Sequence, residues 1–574
     1  MTDSGDSDMR TDQQWTRPPR ESIGARWSKW DLLTKLAVVS LVVASGGVIS
    51  WVADGFAIAD RFTAKRPVTP SPSAMLNVAP EPPPAACGQN NSPDRFSVVI
   101  SRDGEDATGQ CIGYSDGEDL MFGSGKALPE AQSRIFRYNR EVERMAKEGW
   151  PNPRVRLVMM TALTTKLKLP ADERYPAERE AMEGIAIAQH LALKNGKDTP
   201  SRPLLEVVVA NAGQGGEHVD ILLPKIKELA QSDPTVTAVL VAMDSRTSTR
   251  TAMQELQSYG LLVLTSTGAA DRLGEGMTRF LQLQTTTREQ SRLIRSYAKH
   301  LGLGSIINIY TIGNPPPTPK NADLYVDDFR AGLRKEFGDG YQERQWGATG
   351  FDLRDWCHDR YDGIVFYGGR YTEFDGFLKE VYRTCRKGNL PILVGAGNTS
   401  RYVVGDPETN GRDVAPSDYP FVFSSNGVAS ATCKPKNPGN LQFFLEAVKQ
   451  VLGRCQDATD VKPLGVRTGP AFDIINIMLD SVARQTVAGV KEITGAGIHT
   501  EIMERNRQQA FEGVSGPIHF DDNGVIDSGG ESLMCLHNIR EAYVRNTRGT
   551  IPYEVATTGA HGSPIVGKDD CPHP

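Results

Sequence analysis

The sequence predicts an α/β protein with two doubly wound parallel-sheet lobes, preceded by a single transmembrane helix and a small N-terminal α+β region. Three observations predict it. From Arg154 onward, apolar runs of strand length alternate with helical stripes. Those runs are apolar on both faces, as strands buried between helix layers must be. Eight or more such strands over roughly 400 residues exceed one domain of ordinary size, so two lobes are expected.

The 574-residue chain is 39% apolar and 23% charged, a globular composition. Its net charge of -6, with no basic run beyond scattered pairs, argues against a nucleic-acid partner. Residues 1–30 are polar and mixed in charge, and read as a disordered cytoplasmic tail. Within 31–59, "LAVVSLVVASGGVISWVA" (Leu36 to Ala53) carries no charge and is long enough to span a bilayer core. Arg17, Arg20, Arg26, Lys29 and Lys35 precede it, while Arg61, Lys65 and Arg66 follow. That bias predicts a single-pass signal anchor in the cell membrane, with the N-terminus cytoplasmic and the rest extracytoplasmic. A cleaved signal peptide ending at Ala57-Ile58-Ala59 is the rival, and its charged leader is long for one. Residues 60–86 are proline-rich and form a semi-extended stalk.

Residues 87–150 read as a small accessory region. "RFSVVIS" and "CIGYSDG" are two short strands closed by Cys87 and Cys111, and "ALPEAQSRIFRYNREVERMAKEG" is one amphipathic helix. All eight cysteines follow the apolar segment, which places them in an oxidising compartment as disulfides. Cys357 lies before the strand "YDGIVFYG" and Cys385 ends the helix after it. A strand and its return helix bring those ends together, which predicts a Cys357–Cys385 bridge. Adjacency alone pairs Cys433 with Cys455 and Cys535 with Cys571.

The α/β region begins with "RVRLVMMTAL". A helix follows with Ala181, Ile185, Ala188 and Ala192 on one face. After "LLEVVVANA", Val219, Leu222, Leu223, Ile226 and Leu229 form a second stripe. "VTAVLVAM", "LLVLTST", "SIINIYTI", "YDGIVFYG" and "NLPILVGAG" are further strands. Near the end, "FEGVSGPIHFDDNGVI" reads as a ribbon. Asn523-Gly524 predicts a tight hairpin turn with positive φ at both centres.

In open α/β sheets, ligands meet the loops beyond the carboxyl ends of the strands. After "AVLVAM" come Ser245, Arg246, Thr247 and Ser248, leading into a helix whose free N–H groups suit an anion. N-capping alone would account for one of the hydroxyls there. After "LLVL" come Thr265, Ser266, Thr267 and Gly268. After "GIVF", the Gly368-Gly369 pair lets the backbone turn sharply. Arg370 then offers a charge and Tyr371 a stacking face. Enzymatic signatures are wanting. "FGSGKA" lacks the first glycine at Walker spacing, and "GAGNTS" lacks the third glycine of a dinucleotide fingerprint. Ser515 lacks the setting of a nucleophile elbow. The nine histidines form no HExxH. No cofactor, metal site or catalytic residue is expected.

Three of these stretches resemble a known family. The ribbon has a glycine, a short gap, Ser-Gly, then a strand ending in Phe-Asp and an Asn-Gly turn. "VFYGGRYTEFDGFL" is similar to a strand-end glycine pair followed by an aromatic. "AVLVAMDSRTSTRTAMQELQSYGLLVLTSTGAADRL" is similar to a first serine-rich ligand loop and the loop after it. From about Arg154 to Asn546 the chain thus resembles the type I periplasmic binding proteins, especially the branched-chain amino acid receptors. The resemblance implies two lobes joined by three crossovers and closing on a small solute. Lobe 1 would hold residues 151–284 and 425–510, lobe 2 residues 285–424 and 511–558, with 559–574 as a tail. It implies capture of a small polar ligand, such as an amino acid or amide, for an ABC permease or a membrane signalling partner. A sensor ectodomain that kept the fold and lost the solute is the alternative. It adds Gly397 and Asn398 to the ligand loops.

The chain also departs from the family pattern. Gly397 stands where amino acid receptors carry an acid for the ligand ammonium. Asn321-Ala322 replaces an aromatic and glycine, and Arg246 lies near the expected serine. A buried ammonium without an acid is costly, so a ligand other than a standard branched-chain amino acid is expected.

Overall fold

The computed structural model describes residue 87 and residues 95–100, 109–164, 176–311, 318, 321–348, 351–357, 362–385, 391–400, 421–425, 439–455, 464–528, 532–536, 553–558 and 564–566. The predicted tail, membrane span and stalk lie outside these residues. Among the described residues, no helix is long and apolar enough to cross a membrane.

The first lobe is a seven-stranded sheet. In chain order its strands are β1 (Phe96–Ile100), β2 (Gln110–Ser115), β3 (Arg154–Thr161), β4 (Leu204–Asn211), β5 (Val236–Ala242), β6 (Leu262–Thr265) and β7 (Phe280–Gln282). Their spatial order is β1-β2-β4-β3-β5-β6-β7. From β4 to β7 every pairing is parallel. Helices α1 (Ala127–Lys147), α2 (Pro176–Asp198), α3 (Val219–Ser232) and α4 (Thr247–Ser258) connect these strands. Period-two alternation sends Leu157, Val207 and Leu240 to one face, and Val158, Val208 and Val239 to the other. Each set joins a different buried cluster, so helices cover both faces.

Residues 87–150 are not a region of their own. β1 pairs antiparallel with β2, β2 pairs antiparallel with β4, and the Asn139 side chain of α1 donates to the Val207 carbonyl and accepts from the Val207 N–H. β4 would otherwise end the sheet with open hydrogen-bonding groups, and the hairpin covers them. The Cys87–Cys111 bridge expected there is formed.

The second lobe contains α5 (Thr287–His300), β8 (Ser305–Tyr310), α6 (Leu324–Phe337), β9 (Tyr341–Gln345), β10 (Gly363–Tyr367), α7 (Tyr371–Thr384), β11 (Ile392–Gly395) and β12 (Phe421–Ser425). Strands β9-β8-β10-β11-β12 run parallel. Cys357 and Cys385 are bridged across β10 and α7, as the strand-and-return-helix argument predicts. The chain then returns to the first lobe as α8 (Gly439–Leu452), α9 (Thr468–Val487) and α10 (Gly495–Gln508), whose apolar faces join that lobe's core.

The ribbon follows as β13 (Phe511–Gly513), β14 (Gly516–Phe520) and β15 (Ile526–Ser528). It was expected to finish the second lobe; it lies on the first. Phe511, Ile518, Phe520 and Ile526 are buried in the first lobe's core, and Gln282 of β7 donates to the Gly524 carbonyl at 2.8 Å. The reason is the unpaired edge of β7, which the ribbon covers. Its turn also differs. Of the expected pair only Gly524 has positive φ, at 75°. Asp521 takes over the work of the turn by accepting from the N–H groups of Asn523 and Val525. Only after β15 does the chain reach the second lobe, as β16 (Ser532–Leu536), β17 (Tyr553–Thr558) and β18 (Pro564–Val566). These extend the second sheet antiparallel beyond β12. Cys433 and Cys571 lie outside the described residues, so neither adjacency pair is assigned.

Candidate functional site

The lobes meet where the loop after β5 reaches the start of α6. The Thr247 N–H donates to the Ala322 carbonyl at 3.1 Å, and the Tyr325 N–H to the Ser245 carbonyl at 3.3 Å. Arg246 and Asp323 thereby form an antiparallel bridge from one lobe to the other. Ser248 Oγ donates to Asn321 Oδ1 at 2.8 Å. So the Asn321-Ala322 departure is a docking surface for the first loop.

Arg370 is the charged centre of this contact. Its Nη2 and Nε donate to Asp323 of its own lobe at 2.7 and 2.9 Å. Its Nη1 donates to Asp244 of the first lobe at 3.1 Å. Asp323 also caps α6 by accepting from the Val326 N–H. Burial opposes the charge on Arg370, but Asp244 and Asp323 outweigh it and hold the guanidinium protonated above its ordinary range. Glu373 on α7 is pushed the other way: burial raises its carboxyl, against a hydrogen bond from Thr311.

Beside this contact lies a cavity of about 40 Å³. That is space for about three waters at ~10–15 Å³ each. Of the expected ligand residues, Ser245 and Thr267 line it from the first lobe, and Arg370, Gly397 and Asn398 from the second. Thr267 Oγ1 and Asn398 Oδ1 are buried without a hydrogen-bond partner. The Asn398 amide is aimed by its donation to the Gly369 carbonyl at 2.8 Å.

The other expected residues do not line the cavity. Thr247 and Ser248 serve the contact between lobes. Thr265 Oγ1 accepts from the Gly268 N–H at 3.0 Å and shapes its own turn. A Cβ on Gly268 would fall 2.3 Å from Leu273 Cδ2 and would have to push that side chain aside. Ser266 is fully buried, and its hydroxyl has no partner. Gly369 keeps the backbone against Thr311 and Tyr367, where a Cβ would collide. Tyr371 opens α7, and Arg246 is buried behind its loop.

Sequence reading missed Glu178, Asp244, Gln284, Gln290, Tyr325 and Arg467, all of which line the cavity. Asp244 was within reach, since it directly precedes Ser245. Glu178 and Arg467 are the first turn of α2 and the residue before α9. Only the fold brings those distant segments to the same strand ends. Glu178 and Asp244 bring carboxylates to the lining, and Asp244 is paired with Arg370.

No family model matches the sequence, and no curated protein does. Among solved structures, the chain is similar to a branched-chain amino acid transporter substrate-binding protein from Streptococcus pneumoniae in complex with isoleucine. The identity is 14% over 70% of this chain and 99% of that one, with a TM-score of 0.48. It is similar also to a leucine-binding protein from Thermotoga maritima, at 14% identity over 72% and 97% and a TM-score of 0.47. A third is a solute-binding protein from Rhodopseudomonas palustris in complex with 3,4-dihydroxybenzoic acid, at 14% identity over 67% and 92% and a TM-score of 0.44. These are likenesses of chain path at low identity.

Proposed function

We propose that this is an extracytoplasmic solute-binding protein that takes a small polar ligand between its lobes. The observation that carries the reading is the polar cavity lined from both lobes, with Thr267 Oγ1 and Asn398 Oδ1 buried and unsatisfied inside it. A buried oxygen without a partner costs about 1–3 kcal/mol, and a ligand donor would recover it. Arg370, Arg467, Asp244 and Glu178 bring charge of both signs to the lining. Amino acids, amides and small hydroxy acids fit that chemistry. The space of about 40 Å³ is smaller than such a molecule, so entry requires the lobes to part and to settle around it. In this reading residues 36–53 anchor the chain, and the loaded protein meets an ABC permease or a membrane signalling partner. The ligand groups are held, not transformed, and the protein is not an enzyme.

A thermal-shift and calorimetric screen of the purified chain against amino acids, amides, small hydroxy acids and sugars tests this. A hit should lose affinity about tenfold or more in the Thr267→Val, Asn398→Leu double variant. No binding across the panel, or binding that ignores both substitutions, rejects the reading. A second reading is favoured by one observation: the chain's own groups join the lobes at Arg370–Asp244, Thr247–Ala322 and Ser248–Asn321. On that reading the protein is a sensor or partner-binding ectodomain whose closure does not depend on a solute. A blank screen would favour it.

A further inference from the structure

Arg246 is 3% exposed, yet its Nε and Nη1 have no hydrogen-bond partner. The nearest carboxylate oxygen, on Asp244, stands 3.9 Å from Nε, and Asp244 is committed to Arg370. Among the described residues nothing accepts from these two N–H groups, and a charged donor removed from water without an acceptor loses its hydration. Arg246 also lies outside the set of residues lining the cavity between the lobes. Its side chain turns the other way, toward the loop after β4. There Gly215 lies in the left-handed region at φ 56°. A Cβ placed on Gly215 would meet one atom within 4 Å, Arg246 Nε itself at 4.0 Å. So there is room at Gly215 beside the buried guanidinium, about one van der Waals contact from Nε.

We propose that this space between Arg246 and Gly215 is a second site in the first lobe, for a small oxyanion of the carboxylate or phosphate class. The Nε–H is a charged donor to one anion oxygen there, while Nη1 lies on the other edge of the guanidinium. The site sits beyond the carboxyl ends of β4 and β5, where parallel sheets collect anions. Its position gives it a consequence. The Arg246 main chain forms the bridge to Asp323 of the second lobe. An anion that fixes Arg246 therefore steadies the loop on which the lobes meet. The anion is either free in solution or an acidic arm of a larger ligand, and both use the same donor.

The test uses the full chain, with inorganic phosphate and acetate as separate probes and chloride as the ionic-strength control. Wild-type protein should gain thermal stability, saturably, with phosphate or acetate, and less with chloride at equal ionic strength. Arg246→Gln should lose that response, weakening anion binding by about tenfold or more. Arg246→Lys, which keeps the charge and loses the fixed Nε–H, should retain part of it. If Arg246→Gln fails to fold, calorimetric titration of wild type with phosphate and acetate still decides the matter. A saturable heat supports the site; its absence for both anions overturns it. An anion response unchanged in Arg246→Gln overturns it also. The outcome is separable from solute capture, because Thr267→Val with Asn398→Leu should leave the anion response in place.

Discussion

At the residue scale, the cost of burying polar groups separates structural sites from ligand sites. Asp473 on α9 is 3% exposed and accepts from the N–H groups of Val514 and Ser515. Burial pushes its carboxyl up to about 6, against those hydrogen bonds. The unfolded chain ionises near 3.8, so the native state binds the proton more tightly. Its contribution to stability is full below pH ~4 and is lost as pH rises through ~6. Asp473→Asn cannot ionise. Denaturant melts from pH 4 to 7 should show wild type losing on the order of 3 kcal/mol relative to that variant. A constant difference across the range would show that Asp473 does not titrate there. Arg370 is the opposite case, a half-buried charge with both its carboxylates in place. Arg370→Met removes the cation and leaves Asp323 and Asp244 facing each other. It should destabilise the protein by about 3 kcal/mol in equilibrium unfolding, the cost of leaving the buried Asp323 carboxylate without its cation. Asp244→Asn should cost less, because Asp323 still neutralises the guanidinium.

At the element scale, the ribbon and the first hairpin do the same job at opposite margins of one sheet. β1 and β2 close the side beyond β4, and β13–β15 cover the side at β7. Gly524 carries the second contact. A Cβ there would fall 1.9 Å from the Phe280 carbonyl oxygen, at a φ of 75° that L-residues rarely adopt. Gly524→Ala should therefore cost about 1–3 kcal/mol and raise proteolysis of the ribbon, with helical circular dichroism kept. Unchanged stability would mean the ribbon is free to shift off β7. The Cys357–Cys385 bridge closes a sequence separation of 28 residues in the second lobe. Replacing both cysteines by alanine should cost about 3–4 kcal/mol and lower the melting of that lobe first.

At the scale of the whole molecule, closure is a competition between the chain's own contacts and those a solute would offer. Asp244→Asn removes the charged pair between lobes and leaves the cavity lining otherwise in place. It should raise the radius of gyration in small-angle scattering, and a solute identified by the screen should reverse the change. An identical radius in wild type and variant would mean the main-chain bridge at Arg246 and Asp323 suffices to hold the lobes.

Local sequence determined the α/β class, most of the strands, two of the disulfides and five of the cavity residues. Those rest on short-range physics. Apolar runs such as "LLEVVVAN" are buried throughout as β4, and Leu222, Leu223, Ile226 and Leu229 all turn inward as the helical period requires. Ser245, Thr267, Arg370, Gly397 and Asn398 were legible because loops after parallel strands collect at one end of a sheet. Only the tertiary structure decided which lobe the ribbon and the first hairpin join, because a strand pairs with whichever edge is open. It also decided what partners each charge. Arg370 and Arg246 look alike in sequence, each in a polar loop after a strand. One is ringed by carboxylates and the other has none in hydrogen-bonding reach, and that difference is set by residues as distant as Asp244, Asp323 and Gly215.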